Sequence, residues 1–133
     1  MELAELVATM PFAVAVGVEL TAASADECRG RLDWSPERCT IGGTLHGGAL
    51  MSLADSVGAV CAFLGLPPGC GTATLSSSTN LLRGVRDGHV EAVSRPLHRG
   101  STTVVVVTEL RDAAGRLVAT TTQTQAVLQP RTP

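Results

Sequence analysis

The sequence has no tyrosine, and Phe12, Trp34 and Phe63 are its only aromatic residues. It also has no lysine: its positive charge rests on ten scattered arginines, against a formal net charge of −2. There is no basic block to grip a nucleic-acid backbone and no row of rings on which bases could stack, so DNA and RNA are excluded as expected partners. C-x-x-C pairs are missing too. Cys28, Cys39, Cys61 and Cys70 match neither one another nor a histidine at zinc-ligand spacing, which predicts reduced thiols and no metal or redox cofactor. Cys61 lies in an apolar stretch and reads as a small core hydrophobe. The first six residues are acidic where an export signal is basic, and no apolar run reaches the ~20 residues of a membrane span. A soluble, cytoplasmic protein without a membrane partner is the expectation.

What is present suits one compact domain. At 133 residues and 44% hydrophobic content the chain can bury a real core. Residues 1–128 read as a single domain and 129–133 as a frayed tail. A short helix is expected over residues 2–9, broken by Pro11, with a strand over 13–20. Residues 27–34 place Cys28, Gly30, Leu32 and Trp34 on one side and Glu27, Arg29, Arg31 and Asp33 on the other, the period of a half-buried strand. A long helix follows over about 48–64, stopped by Gly65 and Pro67-Pro68-Gly69. Four strands complete the chain at 72–82, 89–98, 102–111 and 117–128, separated by turn-forming sequences. The β-branched run Val104 to Val107 suggests a central strand covered on both faces. The helix is too apolar to lie on a surface, and the only wrapping available is an antiparallel sheet curled around it.

The chemistry concentrates in one stretch, Gly42-Gly43-Thr44-Leu45-His46-Gly47-Gly48, which leads into the helix carrying Ser52, Asp55 and Ser56. A lone carboxylate on an apolar helix is costly unless it is paired, hydrogen-bonded or open to a cavity. Asp55 is therefore either a base or nucleophile facing a cleft, or an acid satisfied by Ser52, Ser56 or an arginine of the sheet. The glycines stand where helix N–H groups lack partners and the dipole favours negative charge, a place for the oxyanion of an attacked thioester or ester; the alternative is a turn that needs glycine for its backbone alone. His46 could orient the turn, bond a substrate carbonyl or satisfy local backbone groups. Gly47 and Asp55 are separated by eight positions, about 12 Å along a helix. One carbonyl cannot reach both in a single protomer. If they serve the same carbonyl, two helices packed antiparallel in a two-fold dimer must supply them.

These residues carry a resemblance. Leu45-His46-Gly47-Gly48 followed by Leu53-Ala54-Asp55, with Thr74 to Leu75 and Leu81-Leu82-Arg83 on the strand beyond a Pro-Gly loop, is similar to the hotdog-fold acyl-CoA thioesterases of the PaaI-like (phenylacetic acid degradation) branch. The resemblance implies an α+β hotdog fold, a long central helix wrapped by a curved antiparallel sheet. It implies hydrolysis of an acyl-CoA to free acid and coenzyme A, aryl or arylacetyl groups favoured and medium chains open, with coenzyme A as part of the substrate rather than a cofactor. Carried over by position, Asp55 is base or nucleophile, Gly47 the oxyanion donor, His46 a substrate-orienting residue and Thr74 an assisting hydroxyl. Thr40, Gly48, Ser56, Arg83, Arg99 and Ser101 are the substrate-binding candidates, the arginines toward the nucleotide phosphates. Thr40 stands where many relatives have asparagine, and the polar run Ser76 to Asn80 where they alternate apolar and polar residues. A homodimer, or a dimer of dimers, is implied. Rival readings are a carrier-protein thioesterase, a hydratase of the same fold, and a non-catalytic acyl-CoA-binding module.

Overall fold

The computed structural model describes residues 1–131; Thr132 and Pro133, from the expected tail, lie outside the described residues. Two short helices, α1 (Leu3–Ala8) and α2 (Pro11–Val16), precede strands β1 (Glu19–Ala23) and β2 (Cys28–Asp33). Two 3₁₀ turns lead into helix α3 (Gly47–Leu64), after which come β3 (Gly71–Leu81), β4 (His89–Arg99), β5 (Thr103–Asp112) and β6 (Leu117–Leu128). The strands form one antiparallel sheet in the order β1-β2-β4-β5-β6-β3. Helix α3 contacts all six strands, the hotdog arrangement of a curved sheet around one long helix.

Residues 13–20, expected as a strand, are helix over 13–16 and strand only over the last two. Pro11 is accepted at the first helical position, where its missing N–H costs nothing, and so it starts α2 rather than breaking a pattern. Gly17 ends the helix with φ 101°, its N–H donating to the Ala13 carbonyl at 3.0 Å. Ala13 is buried, and the strand begins only at Glu19. The alternation read in β2 holds: Cys28, Gly30 and Leu32 are buried, and the charged residues between them are partly exposed.

Strand β5 is central, flanked by β4 and β6, but it is covered on one face only. Val104 and Val106 are buried, whereas Val105 and Val107 remain partly exposed, because a single helix cannot cover both sides of a sheet. The wrapping of α3 is likewise one-sided. Leu50, Leu53, Ala54, Val57 and Cys61 are buried, while Met51 is 43% and Phe63 46% exposed. With 18 residues and a mean hydropathy of 1.5, α3 is the one helix among the described residues long and apolar enough to cross a bilayer, yet half of it is buried inside the protein. Edge strand β3 is open on both faces through Ser78, and the Ser76 to Asn80 run sits there; Thr79 pairs its hydroxyl with that of Thr121 at 2.7 Å.

All four cysteines are free. Cys28 and Cys61 are both buried, with Cys28 Sγ directed to the Ser24 carbonyl at 3.3 Å and Cys61 Sγ to the Ser94 carbonyl at 3.7 Å; the neighbouring Cys28 thiol and burial push the Cys61 thiol up, while the Cys61 thiol holds Cys28 below its ordinary value against its burial. Gln129, at the start of the tail, accepts a bond from the Cys70 thiol at 3.8 Å.

Candidate active site

The segment before α3 is built to deliver His46. The backbone turns at Gly42 (φ 82°) and Gly43 (φ 76°), dihedrals that side chains disfavour. The turn closes through Thr40 N–H to the Thr44 carbonyl and His46 N–H to the Arg38 carbonyl, each 2.8 Å. The Trp34 indole N–H holds the Gly43 carbonyl at 3.0 Å. Arg38 ties the turn to α2, donating from Nε to the Val16 carbonyl at 2.6 Å and from Nη1 to the Asp33 carbonyl at 2.9 Å.

His46 is the N-cap of α3, and its Nδ1 accepts the Gly48 N–H at 2.8 Å. An Nδ1 that accepts carries a lone pair, so the neutral ring bears its proton on Nε2, available as an outward donor. This fixes the local part of the role left open by the sequence: the ring caps its own helix. Gly47 and Gly48 are glycines for room rather than for dihedral freedom. A Cβ on Gly48 would lie 2.9 Å from His46 Nδ1, and one on Gly47 would lie 2.7 Å from Leu81 Cδ1. The Gly47 N–H, in the first turn, has no acceptor among the described residues. Beside it lies a groove of about 860 Å³ bounded by Phe12, Val16, Arg38, His46, Gly48 and Ser52.

Asp55 sits two turns further along α3, partly exposed and outside the lining of that groove. Its Oδ1 accepts from Thr74 Oγ1 at 3.1 Å and from Gln123 Nε2 at 3.2 Å. Oδ2 has no partner among the described residues. Neither serine considered as its partner takes that part, since Ser52 donates to the Gly48 carbonyl at 2.8 Å and Ser56 is buried on the covered side of the helix. No arginine of the described residues pairs with it.

The partner Gln123 was not singled out in the sequence. It is fully buried, as is Gln125, whose Oε1 accepts from Gln123 Nε2 at 3.0 Å and from Thr74 Oγ1 at 2.7 Å, while its Nε2 donates to Thr72 Oγ1 at 3.2 Å. Gln123 Oε1 is buried without a partner. Such an orphan acceptor costs about 1–3 kcal/mol, a penalty proteins accept where a group must be held one way round. The signal was available: Thr121, Gln123 and Gln125 alternate along β6, so all three must share its inner face.

The remaining candidates are spread out. Thr40 is exposed at the start of the second 3₁₀ turn, without a side-chain cap bond. Arg83 is exposed just past β3, and Ser101 is exposed in the β4–β5 turn at the far end of α3. Arg99 does not present a free guanidinium: Nη1 donates to the Ala62 carbonyl at 3.1 Å, and Nη2 to those of Cys61 at 2.9 Å and Ala25 at 2.7 Å. The last carbonyls of a helix lack partners and attract a cation, so Arg99 caps α3, which accounts for it without a phosphate. Arg95 is engaged as well, its Nη2 2.8 Å from Glu27, whose carboxyl is held below its ordinary value by Arg29 and then by Arg95.

Comparison with known proteins places this arrangement. Residues 42–119, from the glycine turn to β6, match the thioesterase superfamily. The 1,4-dihydroxy-2-naphthoyl-CoA hydrolase of Escherichia coli is 38% identical over 86 residues, covering 65% of this chain and 63% of that one. Thioesterase HI1161 of Haemophilus influenzae superposes with a TM-score of 0.91 at 25% identity, covering 97% of this chain and 92% of that one. Phenylacetic acid degradation protein PaaI of Thermus thermophilus, solved as a variant, superposes with a TM-score of 0.81 at 28% identity, covering 89% and 99%. With the matched segment spanning the glycine turn and the acid-bearing helix, and the same fold throughout, the chain belongs to the hotdog-fold thioesterase superfamily and is a thioester hydrolase.

Proposed function

We propose that the protein hydrolyses acyl-coenzyme A thioesters, aryl or arylacetyl ones foremost, to the free acid and coenzyme A. The observation that carries this reading is the state of Asp55: one carboxylate oxygen is held by Thr74 and Gln123, and the other is open. Oδ2 takes a proton from a water that attacks the thioester carbon, or attacks that carbon itself, in which case the acyl-aspartyl anhydride left when the thiolate departs is hydrolysed by water to the free acid and the carboxylate. Negative charge gathers on the carbonyl oxygen as the tetrahedral intermediate forms, and a Gly47 N–H at a helix start receives it. The carbon–sulfur bond then breaks, and the thiolate leaves as coenzyme A after taking a proton. The Nε2–H of His46 is aimed outward from the same helix start and suits a bond to the acyl or thioester oxygen. The preference for aryl groups draws on the relatives named for naphthoyl-CoA and phenylacetic acid and on Phe12, 71% exposed at the groove beside His46.

The same geometry supports a two-fold dimer. Both Gly47 and Asp55 lie on α3, about 12 Å apart along its axis, so Asp55 works with the partner's Gly47. What a partner would cover is uncovered here: the Met51 to Phe63 stripe of α3 and the open β3 edge, where Leu75 is 63% and Leu81 50% exposed. Val105, Val107 and the 70% exposed Leu97 on the outer sheet face suit a dimer of dimers. Arg83 and Thr40, both exposed and both beside the N-terminal end of α3, where the Leu45 N–H bonds the Val85 carbonyl and the Thr40 N–H that of Thr44, are the positions from which nucleotide and thioester would be held. Four free cysteines fit the reducing cytoplasm.

Release of coenzyme A thiol from benzoyl-, phenylacetyl-, short-chain and long-chain acyl-CoAs tests the proposal, with wild type and Asp55→Asn run in parallel. Release by the wild type, greatest with the aryl members and lost in Asp55→Asn, is expected. Absence of release from every member would refute it.

A further inference from the structure

Hydrogen counting around Asp55 separates its two donors. The Thr74 hydroxyl has a single proton and two acceptors within reach, Gln125 Oε1 at 2.7 Å and Asp55 Oδ1 at 3.1 Å, and the shorter contact is the one to the glutamine. The Gln123 amide nitrogen has two protons and two acceptors, Gln125 Oε1 at 3.0 Å and Asp55 Oδ1 at 3.2 Å, so it serves both at once. Thr74 can turn toward water or substrate. Gln123, fully buried, remains on Oδ1.

The direction of the amide is dictated as well. Reversed, it would set Oε1 against two acceptor oxygens, those of Asp55 and Gln125. As placed, Oε1 has no donor and lies against Gly58, where a Cβ would come within 2.1 Å of it. Gly58 follows Asp55 by three positions, on the same side of α3, and no left-handed φ requires a glycine there. We infer that Gln123 is a positioning residue for hydrolysis: its amide fixes Asp55 Oδ1 so that Oδ2 faces the substrate, and Gly58 is the opening in α3 that admits this amide. The inference rests on Asp55 being the reacting acid.

The test replaces Gln123 by leucine, similar in size but without donors, and measures kcat and KM beside the melting temperature. A kcat loss of roughly 10- to 100-fold with KM within about twofold is expected, since misplacement of a reacting group by about 1 Å has this scale. In an Asp55→Asn background the same change should cost nothing more; an additive loss would show a role unrelated to the acid and overturn the inference. A readout independent of turnover is the carboxyl ¹³C resonance of Asp55, identified by its loss in Asp55→Asn. It should move in both Gln123→Leu and Gly58→Ala, and an unmoved resonance overturns the inference whatever the kinetics show. Gly58→Ala keeps the glutamine and only displaces it, and so carries the test should Gln123→Leu fail to fold. Wild-type protein inactive on every thioester would sink the hydrolase reading, while the resonance would still report on the anchor.

Discussion

Replacing Gly47 by proline removes one backbone proton and little else. Gly47 is the first residue of α3, the helical position that tolerates proline best. His46 before it already has φ −62° and ψ 134°, the extended conformation a residue preceding proline must take. The N–H that is lost donates to nothing among the described residues, so no structural bond goes with it. The steric cost falls on Leu81 Cδ1, 2.7 Å from the new Cβ, a terminal methyl of a half-exposed side chain that can swing outward. Folding should change by less than about 1 kcal/mol, within the range of substitutions that break no buried contact. Loss of an oxyanion donor should cost roughly 10²- to 10³-fold in kcat, about 2.7–4 kcal/mol. Gly47→Ala, which adds the Cβ but keeps the N–H, should retain most activity. Wild-type kcat in the proline variant would remove Gly47 from the mechanism.

The same variant tests where the site is assembled. When Gly47→Pro and Asp55→Asn chains are co-expressed at equal levels, half of the dimers are mixed. Each mixed dimer unites an intact Gly47 from one chain with an intact Asp55 from the other at one of its two sites. Thiol release should therefore return to about a quarter of the wild-type rate although each variant alone is nearly inactive. Activity that stays at the level of the single variants, in a sample shown to contain mixed dimers, would mean that no site is shared between protomers.

Pairing Gly47 with the partner's Asp55 puts Met51, midway between them, opposite its own copy near the two-fold axis. Met51→Cys should then form a covalent dimer on mild oxidation, seen on a non-reducing gel, whereas a dimer in solution that does not cross-link would refute antiparallel packing of the helices. Arg99→Ala should lower the melting temperature by roughly 6–12 °C, because three charge-assisted bonds to carbonyls at the end of α3 and in the β1–β2 turn are lost, about 3 kcal/mol in sum. Its KM for acyl-CoA should hardly change; an unaltered melting temperature with a raised KM would instead place the guanidinium on the nucleotide phosphates.

The sequence was most legible where a local rule and the tertiary structure agree. The limits of α3 follow from His46-Gly47-Gly48 at one end and Gly65 with two prolines at the other, and β2 from strict alternation; all stand within a residue or two. Over residues 13–20 expectation and structure part because a short apolar run does not distinguish strand from helix; the deciding features are a proline suited to a helix start and a glycine suited to its end. The outer face of β5 departs from expectation for another reason. Four valines in a row specify a strand, but how many faces are covered depends on how many layers the fold has, which four residues do not encode.

At the site the division is chemical. Residues whose proposed role lies in the backbone, such as the glycine pair, or in a charge alone on an apolar helix, such as Asp55, stand out against their neighbours. Gln123 does not, because a glutamine on a polar-looking strand of threonines is unremarkable until the strand is known to face inward. Its importance comes from burial, which turns an ordinary surface residue into an amide with two protons to place and one oxygen left over. Gln123 of β6 and Thr74 of β3 also explain how the helix can hold an acid among apolar residues: the sheet, not the helix, supplies the bonds that keep it there. Arg99 likewise depends on the fold for its partners. An arginine at a strand end looks free in sequence, but this strand ends against the last turn of α3, and the carbonyls of that turn compete for the guanidinium before any phosphate arrives.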